Sequence, residues 1–291
     1  MGGRELTRIT EVAMTVRITL ADMHIVVGMM RAAANRHVMP HFRCLDRADI
    51  RTKTSALDIV TIADEATEQD LTAALQAAWP GALVVGEEAV AADPALLDGL
   101  ASADLAFVID PIDGTANYAA GVPLFGIMVS ALSGGEVIGG AIVDPVCDIA
   151  VLAARGHGAW LHDQRGRERR LHVAPPVPPQ QMSGNASWRY LPAPVREAVT
   201  RNLPKVAGSW DFRCAAHEYL MLVDGRCHFL LFNRTLPWDH LAGWLIHAEA
   251  GGYAARFDGT PYRVTNHGGG LLYAPDRESW HALHALLFGP T

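Results

Sequence analysis

Apolar residues recur at helical spacing from Val16 to Arg36 (Ile18, Met23, Ile25, Val26, Met29, Met30) until Pro40 ends the pattern, which predicts a long N-terminal helix. A second helical stretch runs from Asp64 to Ala78 and closes at Pro80 and Gly81. The pattern then changes to short apolar runs. Strands are predicted over Leu83 to Val85, Leu105 to Ile109, Phe125 to Leu132, Val137 to Val143 and Ile149 to Ala154, with turn signals at Ser133-Gly134-Gly135 and Asp144-Pro145. Consecutive strands with tight turns and no helices between them predict an antiparallel meander.

Four prolines between Ala174 and Gln180 cannot join a helix or a central strand, so the boundary between two lobes is placed there. Beyond it helices near Pro192 to Asn202, Cys214 to Val223, His240 to Ala250 and Arg277 to Leu287 alternate with strands near Cys227 to Phe232, Tyr253 to Ala255 and Leu271 to Tyr273. The expectation is an α/β chain with an antiparallel-rich lobe over 1–174 and a smaller α/β lobe over 181–291. No internal repeat interrupts it.

Half of the 291 residues are hydrophobic and 19% are charged, which excludes wholesale disorder. No apolar run is long enough to suggest a membrane span, and the N-terminus, with Arg4, Glu5 and Arg8, does not read as a secretory signal. A cytoplasmic location is expected, with four widely spaced and reduced cysteines. A net charge of −7 disfavours binding to nucleic acid or anionic membranes, and the cluster Arg165, Arg167, Arg169 and Arg170 reads as a solvated turn. An acidic protein that handles phosphate needs cations at the site itself.

The sequence offers such a site. Asp110, Pro111, Ile112, Asp113, Gly114 and Thr115 follow an apolar strand, so two carboxylates and the Ile112 carbonyl can converge on divalent cations. Glu87 arrives from another strand end, and Asp239 from the helix start at Trp238-Asp239. Mg²⁺, which prefers oxygen ligands, is the expected cofactor, and a pair of cations about 3.5–4 Å apart would clamp the attacking and leaving oxygens of an in-line displacement. The amides of Gly114 and Thr115 would receive the phosphate at a helix start, and Thr115 held by Asp58 would relay the proton of the attacking water.

Taken together, Lys53 to Asp64 (KTSALDIVTIAD), Gly86-Glu87-Glu88, Asp110 to Asn117 (DPIDGTAN), Gly156 to Ala159 (GHGA) and Trp238 to Gly252 (WDHLAGWLIHAEAGG) resemble the inositol monophosphatase superfamily of Mg²⁺-dependent, lithium-sensitive phosphatases. The resemblance implies an α/β sandwich of alternating layers, usually assembled as a homodimer. It implies Glu87, Asp110 and the Ile112 carbonyl at a first metal, Asp110, Asp113 and Asp239 at a second, and Asp64 at a weaker third. Asp58 with Thr115 matches the pair that activates water. The implied reaction is hydrolysis of a small polar phosphate such as an inositol monophosphate. Sugar bisphosphate, histidinol phosphate and 3′-phosphonucleotide remain alternatives, as does an idle metal-binding regulatory module.

One position departs from the pattern. Where inositol-preferring members carry a Glu seven residues before the Asp of the Trp-Asp pair, this chain has Phe232, which cannot accept hydrogen bonds from a substrate hydroxyl. Asn233 or Glu218 is expected to substitute, or the substrate differs. Ala215 lies where the substrate ring would abut, and Arg213 is placed to contact a second anionic group of a substrate.

Overall fold

The computed structural model describes residues 17–55 and 58–289. In chain order its helices are α1 (Leu20–Ala33), α2 (Ile62–Ala78), α3 (Glu87–Ala92), α4 (Thr115–Ala119), α5 (Ala193–Asn202), α6 (Ala215–Val223), α7 (Pro237–Glu249) and α8 (Arg277–Phe288). The strands are β1 (Ile50–Ser55), β2 (Asp58–Thr61), β3 (Leu83–Gly86), β4 (Ala106–Asp113), β5 (Gly126–Ser133), β6 (Glu136–Asp144) and β7 (Ile149–Ala154), then β8 (Ala159–His162), β9 (Glu168–Arg170), β10 (Ser183–Ala186), β11 (Gly208–Trp210), β12 (Phe229–Phe232), β13 (Tyr253–Arg256) and β14 (Leu271–Ala274).

Strands β3 to β9 form one seven-stranded sheet in sequence order, antiparallel throughout except for the parallel pair β3 and β4. The remaining C-terminal strands form a five-stranded mixed sheet in the order β11-β10-β12-β14-β13. Alternation along the strands assigns side chains to layers. Phe107 and Ile109 of β4 pack with Met23, Val26, Leu71 and Leu75 of α1 and α2. Val108, on the opposite face, joins a second core with Tyr219 and Leu222 of α6, Leu241 and Leu245 of α7, and Leu230 and Tyr273 of the smaller sheet. Phe229 and Leu231 point away from that core onto Val199, Trp280 and Leu283, from α5 and α8. The result is a helix, sheet, helix, sheet, helix sandwich, with α6 and α7 shared between the sheets.

Several expectations shift. The first helix starts at Leu20, where Thr19 and Asp22 make a reciprocal capping box, and it runs on through a π turn at Ala34–Val38. Ile25 stays 51% exposed, because the buried stripe is Met23, Val26, Val27 and Met30. The helix expected from His240 begins one turn earlier, with Pro237 in its first turn, so Asp239 lies inside that turn and is not its N-cap. Strands β10 and β11 carry no apolar alternation and exist through their neighbours.

Candidate active site

A cavity of about 180 Å³ opens where the C-terminal ends of β3 and β4 meet the first turns of α6 and α7. Strand β4 places its acids by an irregularity. Residues three apart on a regular strand face opposite ways, but the pairing of β4 with β5 slips between Asp110 and Asp113, so both carboxylates face the cavity. Pro111, which has no N–H to give to the ladder, sits inside that slip.

Glu87 is aimed by a buried neighbour. Glu68 of α2 accepts from the Glu88 and Ala89 amides, both at 2.8 Å, and so caps α3 with a side chain from another helix. A Cβ at residue 86 would fall 2.1 Å from the Glu68 carboxyl carbon, so only glycine permits that approach. Asp239 completes the group from α7. One carboxylate oxygen each from Glu87, Asp110 and Asp239 lies within 4.8 Å of the others.

This acidic group is electrostatically uncomfortable. Burial, then Glu87, Asp113 and Asp239, push the Asp110 carboxyl well above the usual range, and burial with Glu87 and Asp113 does the same to Asp239. The Asp110 Oδ1 atom is buried and has no hydrogen-bond partner. The charge of Arg234 acts on Asp239, and Lys53 Nζ donates to Glu87 at 2.8 Å and to Glu88 at 2.6 Å. Burial works against the Lys53 charge, but those two carboxylates hold its ammonium above its ordinary pKa. Lys53 was not singled out in the sequence, although it is one of only two lysines in a chain rich in arginine. An all-oxygen donor set with an unsatisfied buried lone pair fits a hard divalent cation such as Mg²⁺.

The other site residues divide. Asp113 lies outside the trio. Its Oδ2 accepts from the Ala216 amide at 2.5 Å and the Cys214 thiol at 3.0 Å, which fixes the start of α6. Thr115 donates from its hydroxyl to the Ile112 carbonyl at 2.8 Å and to Asp64 Oδ1 at 3.1 Å. Asp64 Oδ2 takes the Thr61 amide and hydroxyl, so both of its oxygens are engaged, and burial pushes its carboxyl up to about 7. The side chain of Asp58, expected on Thr115, lies outside the described residues. Gly114 adopts φ 85°, and a Cβ there would meet the Leu124 carbonyl at 2.8 Å.

Ala215 and Phe232 line the cavity, as do Arg213 and Arg234. Glu218 is buried with its oxygens committed to the Phe212 amide at 3.0 Å and Asn185 Nδ2 at 2.8 Å, which leaves Asn233 as the polar neighbour of Phe232. Behind Phe232 runs a satisfied network. His240 Nε2 faces the Arg234 carbonyl at 2.9 Å and must donate, so Nδ1 accepts from Tyr219, and Tyr273 in turn donates to Tyr219 at 2.6 Å. Burial holds His240 neutral, with its pKa down at about 3.

Fold and site together define a layered α/β protein with a carboxylate-lined cavity of small-molecule size. The chain belongs to the inositol monophosphatase family, whose sequence pattern matches residues 22–288. An inositol-1-monophosphatase of Mycobacterium bovis is 33% identical over 208 residues, covering 69% of this chain and 70% of that protein. A Nus factor SuhB of Pseudomonas aeruginosa is 30% identical over 233 residues, covering 75% and 80%. Inositol monophosphatase-II of Staphylococcus aureus shares the fold with a TM-score of 0.77 at 21% identity, over 94% of this chain and 95% of that one. Among the described residues no helix is long and apolar enough to cross a membrane.

Proposed function

We propose that this chain is a Mg²⁺-dependent phosphomonoesterase that hydrolyses a small polar phosphate ester by in-line attack of water. The observation that carries the reading is the convergence of Glu87, Asp110 and Asp239 around a buried oxygen without a partner. The names of the relatives support it. Glu87, Asp110 and the Ile112 carbonyl would hold one cation, Asp110, Asp113 and Asp239 a second, and Asp64 a weaker third. When bound, such cations polarise phosphoryl oxygens and make water a better nucleophile.

The protein supplies orientation. The first-turn amides of Gly114 and Thr115, which lack acceptors within their helix, would face the phosphate. The Thr115 hydroxyl would accept a hydrogen bond from the attacking water and pass a proton to a carboxylate, with Asp64 seated on that hydroxyl and Asp58 as the second acceptor. Lithium sensitivity, a homodimeric assembly and a cytoplasmic location accompany this reading. Inositol monophosphate is the reference substrate; sugar bisphosphates, histidinol phosphate and 3′-phosphonucleotides are the alternatives.

A relative named as a Nus factor motivates a second reading, in which the fold serves as a metal-binding regulatory module. One experiment separates the two. Phosphate release is measured with and without Mg²⁺ over inositol, sugar, histidinol and nucleotide phosphates, with Asp110→Asn as the blank. Mg²⁺-dependent release that the variant lacks is the expected result; no release from any ester would favour the regulatory module.

A further inference from the structure

The cavity is lined by both signs of charge: the carboxylates of Glu87, Asp110 and Asp239, and the guanidinium groups of Arg213 and Arg234, with Arg234 near enough to Asp239 to oppose the rise of its carboxyl. Among the described residues neither arginine has a carboxylate within 4.0 Å, whereas Arg31, Arg36, Arg155 and Arg256 each rest on one. The acid nearest to Arg213 in sequence is Asp211, which also lines the cavity: its Oδ1 accepts the Arg213 amide at 3.0 Å, and its Oδ2 is buried without a partner.

Both arginines are held in place. Arg213 adopts φ 53°, a conformation that a bulky residue rarely takes, and its Nη2 donates to Asn117 Oδ1 at 3.1 Å. The carbonyl of Arg234 accepts from His240 Nε2, and that ring is held from its other side by Tyr219, itself paired with Tyr273. The Arg234 guanidinium stands 6.0 Å from the ring of Tyr190, and Asn233 Nδ2 donates to the Tyr190 carbonyl at 2.6 Å, so aromatic ring and cation are tied to one loop. Tyr190 is 46% exposed although it lines the cavity, and with Phe232 it adds aromatic surface to a lining otherwise rich in charge.

Resting on the phosphatase reading above, we infer that Arg213 and Arg234 form a subsite for a second anionic group. The substrate is then a phosphate monoester that carries another phosphate or a carboxylate, with its skeleton against Tyr190 and Phe232. An uncharged polyol would leave both guanidinium groups without an ionic partner. Phe232, which offers no acceptor to hydroxyls, agrees with that choice.

The test compares matched pairs that differ only in the second anion. Binding is measured by calorimetry with Mg²⁺ present for 3-phosphoglycerate against glycerol 3-phosphate, and for glucose 1,6-bisphosphate against glucose 1-phosphate. The native protein is expected to prefer the doubly anionic member of at least one pair by about 10-fold or more, the size of a charge-assisted hydrogen bond. Arg234→Gln and Arg213→Gln should each collapse that preference ratio, and Arg234→Lys should restore part of it. The pair with the larger preference distinguishes carboxylate from phosphate. Equal binding of both members by the native protein, or variants that weaken both members alike, would overturn the subsite. Phosphate release from the same samples judges the phosphatase reading separately.

Discussion

Two buried polar regions meet at α7, and they are built in opposite ways. In the network of Tyr273, Tyr219 and His240 every hydrogen has an acceptor, and the direction of each bond follows from the one carbonyl at its end. In the neighbouring group of Glu87, Asp110 and Asp239, three carboxylates crowd together, Lys53 reaches only Glu87 among them, and a buried Asp110 oxygen has no partner. A satisfied network stabilises one arrangement of the core and holds its neighbours still. An unsatisfied one costs stability and persists where another species completes it. The contrast teaches where to look for function: α7 carries a satisfied side chain on His240 and, on the adjacent Asp239, a carboxylate of the crowded group to which the proposed function assigns the cations.

Removing Asp110 gives the largest effect. Asp110→Asn should lower Mg²⁺-dependent turnover by about a thousandfold or more, since the proposed cations both lose a charged ligand. Retention of the native rate at saturating Mg²⁺ would refute that role. The same substitution should leave the thermal midpoint in chelator at pH 8 unchanged or higher, because the amide needs no proton to sit there.

The satisfied region should respond in the reverse sense. Tyr219→Phe removes an oxygen that both accepts and donates, leaving two buried groups unpaired at about 1–3 kcal/mol each. At roughly 2–4 °C per kcal/mol for a chain of this size, the melting temperature should fall by roughly 4–24 °C. A variant that melts with the native protein would show that the network does not hold the core.

Proton linkage sharpens the comparison further. Burial, with nearby carboxylates, raises Asp64 and Glu88 to about 7. A carboxyl with a raised pKa keeps a proton in the folded state that the unfolded chain has released, so stability falls as pH rises from about 4 to about 7. In chelator the melting temperature should therefore drop across that window, and Mg²⁺ should raise it more at pH 8 than at pH 5. A Mg²⁺ increment that grew toward low pH would contradict the acidic group as its origin. The smallest expected change is at the wall: Phe232→Glu should raise turnover of inositol phosphate severalfold, which paired kinetic assays would detect.

Much of this was legible in the sequence because the patterns were strong. Strands β5, β6 and β7 fall within a residue of their apolar runs, since Ser133-Gly134-Gly135 and Asp144-Pro145 permit only turns there. The acids were legible as a group because they sit at strand and helix ends in a recognisable order. Strand β10, reading Ser183-Gly184-Asn185-Ala186, was not, because its pairing with β11 and β12 comes from tertiary contact and not from local pattern. The seat of Asp64 on Thr115 spans 51 residues, and Lys53 reaches Glu87 across 34, distances at which spacing says nothing. Arg234 carries no signal in its local sequence, and it is the fold that brings it to the cavity.

The most direct test of the account is an anomalous difference map from crystals grown with Mn²⁺, which takes the same oxygen ligands as Mg²⁺. The account predicts a peak bounded by the carboxylates of Glu87, Asp110 and Asp239, absent from Asp110→Asn. A map without that peak, with Lys53 still seated on Glu87 as its sole cation, would contradict it.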